Sequence, residues 1–251
     1  MRIRARFAAL LVALATLVPT GALPALAAAP AAAEVRHPVL IVAGTLSPEF
    51  ALEPLAGRLR KDGFTVFTMP LPGLGLGDIA VSAESVAARV DAIRAATGAT
   101  KVDVIGHSQG GLENRYYMKF LGGADEVGTY VGLGTPQYGT SLASLGRLIG
   151  NCLGIVACQQ MAVGSSFLAD LNAGDDTPGA SRYVSIYTGF DELVQPSGNA
   201  RINDGAINVK VQSQCPFRIV GHLGLILDGA VYGLVRSALQ GGTIKTNCFA
   251  L

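Results

Sequence analysis

The sequence has no tryptophan, three histidines and few charged residues. Charged residues make up 15% of its 251 residues and hydrophobic residues 50%, a composition that excludes an intrinsically disordered chain. The formal net charge of only +1 does not indicate the strongly basic surface that binds nucleic acid, so we expect no nucleic-acid partner. No group of residues has the spacing of a metal site, so we expect no metal and no other cofactor.

No hydrophobic run in the sequence is long enough to cross a membrane. Residues 7–18 form an apolar stretch, but a spanning helix needs about 20 residues. Three arginines precede this stretch and several Ala-x-Ala sites follow it, which is the layout of a secretory signal peptide. We predict that residues 1–33 contain a signal peptide cleaved between residues 27 and 33. Residues 34–251 are then a single domain of a secreted, monomeric protein without a transmembrane anchor.

The four cysteines are consistent with export, because an oxidising compartment favours disulfide bonds. Four cysteines allow three pairings. We favour Cys152–Cys158 and Cys215–Cys248, since one short and one medium loop require no crossing of the chain. Free thiols are the alternative.

Hydrophobic runs with strand character alternate with segments of helical periodicity. The predicted strands are residues 38–43, 64–68, 102–105, 129–133, 183–188 and 206–212. The predicted helices begin near residue 53 and cover residues 82–97, 110–121 and 225–239. This alternation predicts the α/β class, with a mostly parallel sheet and helices on both faces. Residues 138–180 are rich in Gly, Ser and Leu and are interpreted as an insertion over the sheet edge.

The strongest motif is Gly106-His107-Ser108-Gln109-Gly110, which matches Gly-x-Ser-x-Gly. It lies between a predicted strand and a predicted helix, at the carboxyl end of the strand, where ligand sites of such sheets gather. A serine on so tight a turn has a strained backbone, and the crowding favours flanking residues without side chains. Ser108 is therefore the candidate nucleophile.

A serine hydroxyl needs a base, and the small number of histidines limits the choice. His37 opens the first strand, at the end of the sheet opposite to the motif. His107 adjoins Ser108, and its side chain should point away from the hydroxyl. By elimination His222 is the candidate base.

The base needs an acid to orient it, which in this chain order lies between Ser108 and His222. Asp191 is favoured because it follows the strand at residues 183–188. Glu192 is the first alternative, and Asp204 stands in a turn before the next strand. The remaining acids in the interval are Asp125, Glu126, Asp170, Asp175 and Asp176, whereas Glu113 lies in the helix of the motif and is less favoured.

An oxyanion hole requires backbone N–H groups directed at the developing charge. Gln109, which follows the candidate nucleophile, should provide one. Thr45, after the first strand, should provide the other, and its hydroxyl could add a further donor. A simple turn at the end of the strand is the alternative for Thr45.

These segments together resemble the small secreted bacterial triacylglycerol lipases of the α/β-hydrolase fold. The resemblance extends from His37 to about Leu239. The matching segments are Pro38–Thr45, Val104–Gly111, Leu133–Pro136, Tyr187–Val194 and Gly221–Gly224.

The resemblance implies Ser108 as nucleophile, Asp191 as acid and His222 as base, with Thr45 and Gln109 as oxyanion donors. The chain departs from many relatives at Ala43, where they carry histidine. The pair Gly44-Thr45 is similar to the Gly-Thr pair that the fungal lipase B group has at this place. The segment with Cys152 and Cys158 is absent from the smallest relatives.

The expected activity is hydrolysis of acylglycerol esters by a secreted serine lipase through an acyl-enzyme. The apolar loops suit an acyl chain or an oil–water interface, and the alternative is that their residues pack the insertion onto the sheet. These residues are Leu71, Leu74, Leu76, Leu142, Leu145, Leu148, Leu153, Ile155, Val156, Leu193 and Val194. The alternatives are an esterase or acyltransferase for short or polymeric esters, and a non-catalytic secreted binding module.

Overall fold

The computed structural model describes residues 36–141, 145–146, 152 and 154–251. At its centre lies a sheet of six strands in the order β2-β1-β3-β4-β5-β6, with every neighbouring pair parallel. The strands are β1 (Val39–Val42), β2 (Val66–Met69), β3 (Val102–His107), β4 (Val127–Leu133), β5 (Arg182–Tyr187) and β6 (Ile207–Lys210). The predicted α/β class with a parallel sheet is confirmed.

Helices connect the strands. The α-helices are α1 (Glu53–Lys61), α2 (Ile79–Thr97), α3 (Gly110–Phe120), α4 (Val156–Gln160), α5 (Ser166–Leu171), α6 (Val211–Gln214) and α7 (Gly229–Leu239). Short 3₁₀ segments lie at Glu49–Leu52, Pro72–Gly75, Ser197–Ala200 and Leu223–Ile226.

Several predicted elements have different bounds in the structure. The predicted helix 225–239 is interrupted, because the Asp228 carboxylate accepts the backbone N–H groups of Ala230 and Val231 and caps a new helix, α7. Asp78 caps α2 in the same way, so that α2 begins at Ile79 rather than at Ser82. The predicted strand 206–212 ends at Lys210, and α6 follows it directly.

The sheet is covered on both faces, as predicted. On β1, Val39 and Ile41 belong to the apolar core formed with α1 and α7. Leu40 and Val42 point to the other face and pack in the core with α2 and α3. This alternation is the period of two of a strand that is buried on both sides.

The described part of the segment 138–180 packs against helices α2 and α3. Phe167 and Leu168 of α5 share an apolar cluster with Ile79 of α2 and Leu112 of α3. Arg115 of α3 is buried and holds the end of the segment, donating to Asn172 at 2.8 Å and to Asp176 at 2.9 Å.

Both expected cysteine pairs, Cys152–Cys158 and Cys215–Cys248, form disulfide bonds in the structure. The described residues contain no helix of sufficient length and hydrophobicity to span a membrane. The predicted signal peptide and its cleavage site lie outside the described residues.

Candidate active site

Ser108 occupies a sharp turn between β3 and α3, at the carboxyl edge of the sheet. Its φ is +54°, a left-handed conformation that is strained for a residue with a side chain. Its backbone N–H donates to the carbonyl of Leu133 in the neighbouring strand at 2.9 Å, which holds the turn against the sheet.

The glycines around Ser108 are required by close packing of the backbone. A Cβ at Gly106 would lie 2.3 Å from the nitrogen of Gly111, and one at Gly110 would lie 2.4 Å from the carbonyl oxygen of Ala43. Gly44, on the loop after β1, also lies close to the turn of Ser108, since a Cβ at Gly44 would lie 2.8 Å from Cβ of Ser108. The Gly-x-Ser-x-Gly spacing thus has a steric cause in this chain.

His222 is paired with Asp191, the acid favoured from the sequence. Nδ1 of His222 lies 3.0 Å from Oδ1 and 2.9 Å from Oδ2 of Asp191. The two residues are only 1% and 2% exposed, so water does not compete for this contact. The carboxylate is fixed in turn by the backbone N–H groups of Leu193 and Val194, which donate to Oδ1 at 3.0 Å and 2.7 Å.

The alternative acids have other contacts. Oε2 of Glu192 accepts the backbone N–H of His222 at 2.9 Å and therefore helps to place the main chain of the candidate base. Oδ2 of Asp204 accepts the backbone N–H of Asp176 at 3.1 Å.

Gly134 is a residue of the site that the sequence analysis did not assign. It has a φ of +57°, and a Cβ on it would lie 3.2 Å from both Oδ2 of Asp191 and Nδ1 of His222. Its position after β4, in Leu133-Gly134-Thr135-Pro136, was the available signal.

The other two histidines have different surroundings. His107 is fully buried, and its Nε2–H donates to the backbone carbonyl of His222 at 3.1 Å. Burial and the neighbouring His222 lower the pKa of His107 to about 3, so its ring stays neutral near pH 7. His37 lies near the amino-terminal ends of the strands, opposite to Ser108, and its Nδ1 is 3.0 Å from Oδ1 of Asp103 at the start of β3.

Thr45 and Gln109, the candidate oxyanion donors, are linked through their side chains. The Thr45 hydroxyl donates to Oε1 of Gln109 at 2.5 Å and is therefore already engaged. Within the described residues, the backbone N–H groups of Thr45 and Gln109 donate to no other group. These two N–H groups thus remain available to an anionic oxygen.

Ser108, His222 and Thr45 line one small cavity with room for about one water molecule. Nε2 of His222 is buried and has no hydrogen-bond partner in the described structure, so its bond with the Ser108 hydroxyl is not formed here. The other described residues that line the cavity are Pro136, Thr140, Leu145, Met161, Leu193 and Val194.

Only part of the predicted apolar lining borders this cavity. Leu145, Leu193 and Val194 do, whereas Leu71 belongs to the core between the sheet and α2. Leu74 and Val156 are exposed, and Ile155 packs against the cluster around α4 and α5. Leu142, Leu148 and Leu153 lie outside the described residues. Met161 was not expected from the sequence, which carries no local signal for its position.

Among the residues that the structure describes, no group of His, Cys, Asp and Glu could hold a metal ion. The chemistry available at this edge of the sheet is that of a hydroxyl, an imidazole, a carboxylate and two backbone N–H groups.

Comparison with known proteins identifies lipases as relatives. A sequence model of the lipase class 2 family matches residues 85–223, more than half of the chain. Lipase B of Pseudozyma antarctica is 29% identical over 225 residues, covering 83% of this chain and 63% of that protein. A triacylglycerol lipase of Burkholderia plantarii is 35% identical over 127 residues, covering 48% of this chain and 35% of that protein. The chain thus spans less than two thirds of the length of these relatives.

Solved structures of lipases share the fold. Lipase B of Aspergillus fumigatus superposes with a TM-score of 0.71 at 23% identity, over 86% of this chain and 55% of that one. A mature Bacillus licheniformis lipase gives a TM-score of 0.67 at 17% identity, over 81% of this chain and 92% of that one. The predicted α/β-hydrolase fold is confirmed.

Proposed function

The chain belongs to the class 2 lipase family, and from this we propose that it is a secreted serine lipase acting on acylglycerol esters. The observation that carries the proposal is the buried contact of Asp191 with His222, a residue that lines the same cavity as Ser108. An imidazole held by a carboxylate beside a strained serine suits nucleophilic catalysis of acyl transfer.

In the proposed mechanism, Ser108 attacks the ester carbonyl. A bond forms between its Oγ and the carbonyl carbon while Nε2 of His222 takes the hydroxyl proton. Asp191 keeps the other proton of the imidazole on Nδ1 and stabilises the imidazolium that forms. The unpaired Nε2 is the atom that accepts this proton.

The carbonyl oxygen becomes an oxyanion, which the backbone N–H groups of Thr45 and Gln109 bind. When the tetrahedral intermediate collapses, the bond to the alcohol breaks and His222 returns the proton to the leaving oxygen. A water molecule then attacks the acyl-enzyme, with His222 accepting its proton. When this second tetrahedral intermediate collapses, the bond between the acyl carbon and Oγ breaks, His222 returns the proton to Oγ of Ser108, and the carboxylic acid leaves.

A lipid ester fits the apolar character of the cavity wall, where Leu145, Met161, Leu193 and Val194 are adjacent to the polar groups. The small size of the cavity favours a second candidate, an esterase for short acyl chains.

Secretion is supported by the arginines and apolar stretch at the N-terminus and by the two disulfide bonds.

The test is hydrolysis of p-nitrophenyl butyrate and palmitate by the protein, with Ser108→Ala as the control. We expect both esters to react with the parent and neither with Ser108→Ala. Turnover of butyrate alone would support the esterase for short chains. Equal rates for parent and Ser108→Ala, or no reaction of either ester, would overturn the proposed mechanism.

A further inference from the structure

Glu113 is a buried carboxyl group that the proposed mechanism does not use. It lies in the first turn of α3, and no part of it is exposed to solvent. Its Oε2 has no hydrogen-bond partner in the described structure. Burial raises the pKa of Glu113 to about 8, so the group is mainly protonated and uncharged at neutral pH.

The other oxygen of Glu113 belongs to a hydrogen-bonded chain that reaches the oxyanion site. Oε1 accepts Nε2 of Gln109 at 2.7 Å, a pair four residues apart on one face of the helix. Since the nitrogen end of the Gln109 amide faces Glu113, its oxygen end faces Thr45. That oxygen accepts the Thr45 hydroxyl at 2.5 Å.

The Gln109 amide is enclosed as well as bonded. Gln109 is fully buried, and the neighbouring loop approaches it closely at Gly75. A Cβ at Gly75 would lie 3.1 Å from Oε1 and 3.2 Å from Nε2 of Gln109. The amide therefore ties the loop of Thr45 to the turn of Ser108 across a tightly packed contact.

We propose that Glu113 is a positioning residue for acyl transfer, which orients the Gln109 amide and thereby sets the spacing of the Thr45 and Gln109 backbone N–H groups. This inference rests on the proposed function. It assigns Glu113 no contact with substrate, because its side chain is fully buried and is not among the described residues that line the cavity of Ser108.

The experiment compares Glu113→Leu with Glu113→Gln. Glutamine keeps an oxygen that accepts from Gln109, whereas leucine leaves the Gln109 NH₂ group unpaired and removes the constraint on its orientation. We expect kcat of Glu113→Leu to fall about 10- to 100-fold, somewhat less than the loss of a whole oxyanion donor. KM should stay within about twofold, because the oxyanion hole acts in the transition state. Glu113→Gln should restore kcat.

Active sites are counted by titration with a p-nitrophenyl phosphonate, so kcat refers to folded enzyme. A purely structural role would lower the melting temperature of Glu113→Leu and leave kcat per titrated site unchanged, which would overturn the inference. Adding Glu113→Leu to a Gln109→Met protein should cost no further activity, since Gln109→Met has already broken the hydrogen bonds that link Glu113 to Thr45. A full additional loss in the double variant would also overturn it.

If Glu113→Leu does not fold, Gln109→Met tests the same inference. Methionine removes the side-chain amide that links Glu113 to Thr45, and it keeps the backbone N–H of residue 109. Parent-like kcat in folded Gln109→Met would then contradict the inference. The proposed function is judged separately: an active parent and an inactive Ser108→Ala support it, whatever the Glu113 variants do. An inactive parent would overturn both.

Discussion

Asp191 and Glu192 are consecutive residues that hold different parts of His222. The Asp191 carboxylate contacts the imidazole Nδ1 at 2.9 Å, whereas the Glu192 carboxylate accepts the backbone N–H at 2.9 Å. The first contact selects the tautomer of the ring, and the second fixes the main chain that carries it. The proposed mechanism depends chemically on the first contact alone.

Asp191→Asn is expected to reduce kcat about 10³- to 10⁴-fold, because the amide can stabilise the wrong tautomer of His222 and cannot stabilise the imidazolium. Initial rates on p-nitrophenyl butyrate measure this loss. Glu192→Gln is the matched control, since glutamine retains an oxygen for the His222 N–H. A much larger loss in Glu192→Gln than in Asp191→Asn would reverse the assignment of the acid.

Gly44→Ala should disturb the turn of Ser108. The added methyl group would lie 2.8 Å from Cβ of Ser108 and 3.1 Å from the carbonyl oxygen of His107, and such overpacking costs about 1–3 kcal/mol. Gly57→Ala is the control, because it lies inside α1 with no neighbouring atom within 4 Å of the new Cβ. This variant should be more stable by about 0.5–1 kcal/mol. Thermal unfolding and ester hydrolysis of both variants test the contrast, which fails if Gly44→Ala is as active and stable as the parent.

Glu113 should make the protein less stable as the pH rises. Its pKa is raised from 4.5 to about 8 by burial, so the folded chain keeps a proton that the unfolded chain loses. The free energy of unfolding should therefore decrease between these two pH values, by at most about 1.4 kcal/mol per pH unit. Urea unfolding at pH 5.5, 6.5 and 7.5 measures the slope, and Glu113→Gln should remove it. Identical pH profiles of parent and Glu113→Gln would refute the assignment.

His107 should act in the opposite direction. Burial lowers its pKa from 6.5 to about 3, so the unfolded chain takes up a proton that the folded chain does not. Stability is then lost as the pH falls through this window. His107→Gln should weaken the acid dependence in urea unfolding between pH 4 and 6. If the free energy of unfolding of His107→Gln decreases with falling pH as steeply as that of the parent, other groups cause the acid dependence.

Met161 should limit the length of the acyl chain. Its buried side chain forms part of a cavity wall beside Ser108, and the cavity has room for about one water molecule. Met161→Ala should increase the ratio of kcat/KM for octanoate over butyrate by about tenfold, the effect of about one methylene group gaining contact with the cavity wall. Met161→Leu preserves the volume and should leave the ratio close to that of the parent. An unchanged ratio in folded Met161→Ala would place the acyl chain elsewhere.

Much of the fold could be predicted from local patterns. The apolar runs of β1 and β3 and the alternating helices predict a parallel sheet, because such strands must be buried on both faces. The bounds of α7 were less predictable, since they depend on whether Asp228 caps a helix or lies within one. The placement of Asn172 and Asp176, at the end of the segment 138–180, involves Arg115, whose burial and partners 57 and 61 residues away leave no periodic signal.

For the site, the sequence alone determined Ser108 and His222 as candidates. The glycines around Ser108 satisfy short-range steric demands of one turn, and with so few histidines the base follows by elimination. Tertiary structure decided which of two adjacent acids faces the imidazole, which side chains line the cavity, and that the buried Glu113 bonds the amide of Gln109. The physical reason is the range of the interactions: backbone sterics act between neighbours in sequence, whereas burial and side-chain pairing depend on segments that only the folded chain brings together.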